Sequence, residues 1–437
     1  MAEQSAGVPT ANFTPLEPFV HQVGGHSTMM KFDDVSVCKP FVVREHRFYE
    51  DLPSEMKAFT PEYRGVVYVS FEEDDEGFIY TIAHPDKRAL ENQAVNSSRN
   101  NSSDSDSSED NDIGTNTSPS RRRSFRASHI ESVQKRPHRV RLRSGKIELV
   151  DTRKDRVFAA DEMTEQTQSE VNPWSLHLHK QQLSKLNKTA KIQKFIVLEN
   201  VAYQFTYPCI LDLKMGTRQH GDDTPNDKRA KIMAKVESST SKTLGVRACG
   251  QQVYQQDSGR FICKNKYYGL KLSEEGFKRE LTTFLHNGQR LRIELIEPFI
   301  HKLRKLYRVI EKLNSYRFFS SSLLLLYEGK ELESGHWMRQ DSECNSSMDS
   351  SDGLMPRNSS SASLKGSRRA KVEVRMIDFA HTSYSGCPQD KVRSGPDTGY
   401  LFGIENVIRL LEEIHKNAIT EEEQECIDDS IFNELHQ

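Results

Sequence analysis

Apolar residues at Phe299, Leu303, Leu306, Ile310 and Leu313 recur at spacings of four, three, four and three, which predicts a helix burying a single stripe. A second stripe, Ile404, Val407, Ile408, Leu411 and Ile414, predicts a final helix over 404–416. Elsewhere the period shortens to two. Val372, Val374 and Met376 alternate with polar neighbours, and 65–71 and 322–326 also read as strands. The apolar runs 195–201 and 208–213 read as buried strands. Near the start, Gly24-Gly25-His26 precedes two short strand signals, 28–32 and 36–42, around an Asp33-Asp34 turn, and 44–49 has a helical pattern. Thr224-Pro225 is a good helix start, with Thr as N-cap and Pro at the first helical position of a helix reaching Val236.

The pattern fails in two places. Between 92 and 170 the chain turns to Ser, Asn and Asp, then to R-R-R-S-F-R-A-S and K-R-P-H-R-V-R-L-R. Such a segment is expected to be disordered, because it offers too little apolar surface to offset its ordering entropy. A second polar stretch, 331–370, reads the same way. The remaining chain then divides into a strand-rich N-terminal lobe over 16–91, a linker helix and hinge strand over 171–201, and a C-terminal lobe made of 202–330 and 371–420.

Composition narrows the function. Lys and Arg total 61 against 63 Asp and Glu, a net charge of −2, so nothing favours nucleic acid or a membrane surface as a partner of the whole molecule. An anion site has to be local. The seven cysteines are scattered without a C-x-x-C pair, which argues against a metal staple or a disulfide framework and suits a reducing compartment. The longest apolar run, 323–327, is far too short to span a bilayer. A soluble protein of cytoplasm and nucleus is expected, with the two polar insertions open to regulatory protein partners.

Familiar nucleotide and hydrolase templates are missing: there is no G-x-x-x-x-G-K-[ST], H-R-D, D-F-G or G-x-S-x-G. The informative run is P-C-I-L-D-L-K-M-G, residues 208–216, continuing T-R-Q-H-G-D-D. On a strand, Asp212 and Lys214 emerge from the same face, one an acceptor for hydroxyls and the other a cation for phosphate. A surface ion pair would produce that pattern equally well. The helix after Pro225 carries Lys228, Lys231 and Lys235 on adjacent turns of one side, which suits either a solvated face or an anion-binding one.

The full string P-x-x-x-D-x-K-x-G resembles the signature of the inositol polyphosphate kinase family, and L-D-L-K-M-G-T-R-Q-H-G-D-D resembles its hexakisphosphate kinase branch. Further matches are L-E-P-F-V-H-Q-V-G-G-H, R-E-H-R-F-Y-E, N-P-W-S-L, N-K-Y-Y-G, M-I-D-F-A-H-T and G-Y-L-F-G-I-E-N. The resemblance implies an α+β, two-lobed, protein-kinase-like fold with two disordered insertions. It also implies ATP-dependent, Mg2+-dependent phosphorylation of inositol hexakisphosphate, with inositol pentakisphosphate as a further substrate. Lys39 would grip ATP phosphates and Glu45 would hold Lys39. Backbone groups of Glu199 and Val201 would meet adenine, and Asp212 the ribose. Lys214 would meet the transferred or acceptor phosphate, and Asp378 would bind the metal. Lys228 and Lys235, with Lys231, match substrate contacts. The family's usual Arg after Y-x-G is Leu270 here, and Lys271 is the nearest replacement cation. A multikinase or trisphosphate kinase acting on ring hydroxyls, and a non-catalytic scaffold that binds inositol phosphates, are the competing readings.

Overall fold

A computed structural model describes residues 13–74, 76–85, 136–143, 146–160, 164–186, 192–331, 371–387 and 390–435. Its strands are β1 (Thr14–Pro18), β2 (Met30–Lys31), β3 (Ser36–Pro40), β4 (Tyr63–Glu73), β5 (Phe78–His84), β6 (His138–Arg143), β7 (Lys146–Asp151), β8 (Arg156–Ala160), β9 (Gln166–Ser169), β10 (Ile192–Glu199), β11 (Pro208–Met215), β12 (Val246–Gln255), β13 (Arg260–Asn265), β14 (Ser322–Glu328) and β15 (Val372–Ile377). Its α-helices are α1 (Val43–Glu50), α2 (Pro173–Leu186), α3 (Asn226–Glu237), α4 (Thr240–Thr243), α5 (Lys266–Leu270), α6 (Glu274–Phe284), α7 (Ile296–Lys312) and α8 (Thr398–Leu435). None of the helices among the described residues is long and apolar enough to cross a membrane.

The strands form two antiparallel sheets in a mixed α/β fold. One runs β1-β2-β3-β10-β4-β5-β6-β7-β8, and a further pairing of β1 with β5 closes its first six strands into a barrel. Closure removes the edges of those strands and lets alternate side chains fill the interior. Leu16, Met30, Cys38, Val69, Ala83, Phe195 and Val197 do so. The other sheet runs β15-β14-β11-β12-β13-β9. Its inner face packs on α6, α7 and α8 through a large core that includes Leu211, Leu213, Phe277, Leu281, Phe299, Leu303, Leu306, Leu325 and Leu411. Both helical stripes seen in the sequence lie in this core, which explains their regularity.

Two expectations need correction. The stretch 92–170 is not uniformly unstructured, since β6 to β9 occupy its second half, while 92–135 and 332–370 lie outside the described residues. The basic run hides a strand. Val140 of β6 packs inward with Ile147 and Leu149 of β7 against Leu176 and Leu183 of α2, while Arg139 lies over the Phe78 ring at 3.8 Å. Charged residues on the outer face dilute the composition without breaking the inner alternation. The other correction is small. Pro225, at ψ 147, is itself the N-cap of α3, so that helix starts at Asn226 and Thr224 does not cap it. No residue of α3 is fully buried.

The packing of β7 is testable directly. Leu149 is wholly buried, so Leu149→Ala should cost about 2–4 kcal/mol of stability in chemical denaturation, the usual range for a leucine cavity. A loss below about 0.5 kcal/mol, the size of an ordinary surface change, would mean that β6 and β7 are not part of the folded core.

Candidate functional site

Strand β11 sits between β14 and β12, and its alternation builds the site. Cys209, Leu211, Leu213 and Met215 enter the helical core, while Ile210, Asp212 and Lys214 point the opposite way into a cleft between the two sheets. Leu324 and Leu326 of β14 share that outward face. The cleft holds a cavity of about 240 Å³. Lys39 of β3, Glu45 of α1, Glu199 at the end of β10, Val201, Asp212, Lys214 and Asp378 all line it. Every ATP-side and metal-side residue inferred from the sequence therefore converges on a single cavity.

Charges organise its floor. Lys39 Nζ lies 2.7 Å from Asp378 Oδ1 and 3.1 Å from Glu45 Oε1, and the backbone N–H of Phe379 donates to the same Glu45 oxygen at 3.2 Å. Asp378 follows β15 in the left-handed region, φ 64, a conformation that Asp adopts more readily than most residues. Burial works to raise the Asp378 carboxyl, but the charges of Lys39 and Lys214 hold it down at about 2, so it is ionised. Asp212 behaves oppositely. Burial, and then the negative charge of Asp378, push its carboxyl up to about 6. Its Oδ1 is buried with no hydrogen-bond partner, which suits a carboxylate awaiting hydroxyl donors. Lys214 donates to the carbonyl of Ser320 and has no carboxylate partner among the described residues.

The segment 22–27 closes the cleft from above. Gln22 Nε2 donates to the carbonyls of Gly24, at 3.0 Å, and Ser27, at 2.8 Å. Gly24 lies so close to Asp212 that an added Cβ would sit 1.9 Å from Oδ2, so any side chain there would displace the Asp212 carboxylate. His26, at the end of this segment, is pushed down to about 4 by burial and by Lys266 and Lys214, and is neutral at pH 7. At the back, the N–H of Glu199 donates to Glu62 O at 2.8 Å, while its carboxylate accepts from the N–H of Glu62 at 3.1 Å. Asn200 ties this corner to the turn before β3 through Asp34 O at 3.0 Å and accepts from the N–H of Ala202 at 3.2 Å. Val37, Leu198, Leu324 and Leu326 supply apolar walls.

The lysines of α3 stand outside the cavity lining, on an exposed helix at its mouth. Lys228 acts electrostatically on His381, which lines the cavity, and Lys235 acts on His26 and Lys266. Lys231 shows no contact with the lining among the described residues. Lys271 pairs with Glu165 at 2.5 Å through a largely exposed side chain and also stands outside the cavity lining. Sequence reasoning passed over His26, Asn200, Lys266 and His381, although G-G-H, N-K-Y-Y-G and F-A-H-T were in view.

Residues 195–412 match the model of the inositol polyphosphate kinase family. Curated relatives match nearly end to end: human inositol hexakisphosphate kinase 1 is 44% identical over 429 residues, covering 91% of this chain and 93% of its own. Human inositol hexakisphosphate kinase 3 is 43% identical over 412 residues, covering 92% and 95%, and human inositol hexakisphosphate kinase 2 is 40% identical over 428 residues, covering 94% and 97%. The chain belongs to the inositol polyphosphate kinase family. Among solved structures, an inositol phosphate multikinase of S. cerevisiae in complex with ADP and Mn2+ is 22% identical, covers 57% of this chain and 99% of its own, and has a TM-score of 0.38. Within the family signature, the Asp and Lys of P-x-x-x-D-x-K-x-G are the two polar β11 residues that face the cleft, beside Ile210.

Because Asp212 and Asp378 share a cleft, they should titrate as neighbours. Asp378→Asn removes the like charge while leaving Asp212 buried, so the Asp212 carboxyl should fall from about 6 partway toward its ordinary 3.8, read by carbon-13 NMR. The sign follows for stability: an acid titrating higher when folded makes the fold lose stability as pH rises between those values, and the variant should lose less. An unmoved Asp212 titration would contradict the shared field.

Proposed function

We propose that the protein transfers the γ-phosphoryl group of ATP to a phosphate of inositol hexakisphosphate, and also acts on inositol pentakisphosphate, giving diphosphoinositol polyphosphates with Mg2+ as the divalent ion. The observation that carries this reading is the convergence of Lys39, Asp212, Lys214 and Asp378 on one cleft, with the cations of α3 at its mouth, in a chain whose end-to-end relatives are named inositol hexakisphosphate kinases. The two sheets then correspond to the two lobes of a protein-kinase-like arrangement, with the nucleotide between them.

In this reading the purine enters between Val37 and Leu198 on one side and Leu324 and Leu326 on the other. The N–H of Glu199 is already donated to Glu62, so its carbonyl and the N–H of Val201 are the groups left to read the adenine edge. Asp212 accepts from ribose hydroxyls, which satisfies its lone oxygen. Lys39, held in place by Glu45 and Asp378, meets the nucleotide phosphates. Asp378 is ionised and cleft-facing, and one or two carboxylates together with phosphates are the donor set Mg2+ prefers. The ion, when bound there, offsets negative charge on the donor phosphates.

The acceptor is an ionised phosphate, so no strong base has to remove a proton. One of its oxygens bonds to the γ-phosphorus as the bond to the β,γ-bridging oxygen breaks, and ADP carries that electron pair away. Lys214 lies where donor and acceptor meet, and neutralises both. Lys228 and Lys235 hold the outer phosphates.

Purified protein incubated with ATP, Mg2+ and inositol hexakisphosphate should give ADP and a phosphoanhydride signal in phosphorus NMR. Phosphorylation of free hydroxyls on less phosphorylated inositols, without any phosphoanhydride, would favour the multikinase reading. Asp378→Asn and Lys214→Ala should each lower turnover by at least about a hundredfold while remaining folded, the loss typical of a group that stabilises transition-state charge. Salt screens an exposed site over roughly 8 Å at physiological strength, so added salt should raise the KM for the inositol phosphate more than that for ATP. The double variant Lys228→Ala, Lys235→Ala should flatten that dependence and leave the KM for ATP nearly unchanged.

A further inference from the structure

We propose that Lys266, which reaches the cleft-lining His26, binds a phosphate of the acceptor and, with Lys214, Lys235 and Arg247, forms the cation cluster that recognises a highly phosphorylated ring. The inference rests on the proposed function and adds the residue that takes over from the family's arginine after Y-x-G.

Lys266 opens α5, and its position is fixed on all sides. The Asn265 side chain caps that helix, accepting from the N–H groups of Tyr267, at 2.9 Å, and Tyr268, at 3.4 Å, and its Nδ2 donates to Thr164 O at 3.0 Å. Gly269 lets α5 lie directly on β12, since a Cβ there would sit 2.1 Å from Ala248 O. The Lys266 ammonium rests 4.9 Å from the buried Trp174 ring and 5.5 Å from the Tyr267 ring, and Trp174 is itself stacked on His177. A cation so placed is oriented by the negative ring faces without being neutralised. Its one polar side-chain contact among the described residues is His26 Nδ1, at 3.3 Å, on the segment 22–27 that lines the cleft. Because His26 is neutral, it accepts from Lys266 and contributes no opposing charge.

Cations crowd round Lys266, while the carboxylates of Asp212 and Asp378 act on Lys214 from within the cleft. Burial first, and then Lys235, Arg247 and Lys214, lower the Lys266 pKa, so these ammonium and guanidinium groups lie within each other's field. None of the four has a carboxylate partner among the described residues: Arg247 spends its hydrogen bonds on Gln219 Oε1 and, at 3.0 Å, on Ser241 Oγ, and Lys214 on a carbonyl. Four mutually repelling cations beside a cleft are unfavourable in the free protein and are relieved by a polyanion. Lys271 cannot do this work. It lies five residues beyond Lys266, about half a turn away round the helix at 3.6 residues per turn, and its charge is already spent on Glu165.

The test is calorimetric titration of inositol hexakisphosphate into full-length protein without nucleotide, at two salt concentrations, with steady-state kinetics on the same samples. Lys266→Ala should weaken inositol hexakisphosphate binding by about tenfold or more, reduce its salt dependence, and leave the KM for ATP within about twofold, the pattern of one lost charge-assisted phosphate contact. Lys266→Arg should recover most of the loss. Lys271→Ala should bind like the wild type. Wild-type-like binding and salt response in Lys266→Ala would overturn the inference while leaving the proposed function standing; failure of the wild type to bind or phosphorylate inositol hexakisphosphate would overturn the function instead. Parallel loss of ATP and inositol phosphate affinity, unrescued by arginine, would assign Lys266 a merely structural role.

Discussion

Lys39, Glu45 and Asp378 meet at one point, and that point is where the barrel sheet, helix α1 and the end of β15 are joined. Their side chains are 15%, 1% and 29% exposed, so none is free to find a full shell of water. Removing Lys39 would leave two carboxylates in this site without their cation, the kind of loss that costs about 3–5 kcal/mol for a buried pair. The arrangement is therefore a constraint on geometry before it is a device for chemistry. A lysine poised between two carboxylates is fully charged, and its position is set by both. Docking of α1 supports the same point: Phe48 stacks on Phe379 at 4.2 Å, Arg44 reaches Asp390 at 2.5 Å, and Tyr384 OH donates to Asp51 at 2.6 Å.

A single strand then divides structure from function. The inward residues of β11 belong to the core that α6, α7 and α8 complete, and its outward residues belong to the cleft. Substitution on one face is a stability question and on the other a binding question, although the residues are adjacent in sequence. The unlike environments of Asp212 and Asp378 follow from the same layout. Asp378 has a lysine at 2.7 Å and stays ionised, whereas Asp212 lies under Gly24 with a carboxylate for a neighbour and is pushed up. Two acids in one cavity thus differ in charge state: one is held ionised, and the other is pushed up by burial.

What the sequence revealed depended on how local the signal was. Periodicity exposed α7 and α8 because each turns one continuous stripe to the core. The pairing of Asp212 with Lys214 was visible because a strand places alternate residues on one face. Lys39 could be singled out only through resemblance, since nothing in V-C-K-P says that Asp378, 339 positions away, will lie beside it. Strands β6 and β7 were lost for a different reason: Arg139, Arg141 and Arg143 of β6 made the composition read as a solvated tract, although Val140, Ile147 and Leu149 carry the inner alternation. Lys271 was singled out because it lies next to the family's arginine position, and its ion pair with Glu165 was not legible from the sequence.

The central claim is that the cleft works because Lys39 and Asp378 are held as a coupled pair across the two sheets. A double-mutant cycle of Lys39→Ala, Asp378→Ala and the double variant, read as affinity for a non-hydrolysable ATP analogue with Mg2+, tests it directly. The account predicts strong non-additivity, with a coupling of at least about 1 kcal/mol, because each single change leaves the other's charge unbalanced. Additive losses would show that the two residues act independently, and would contradict the account.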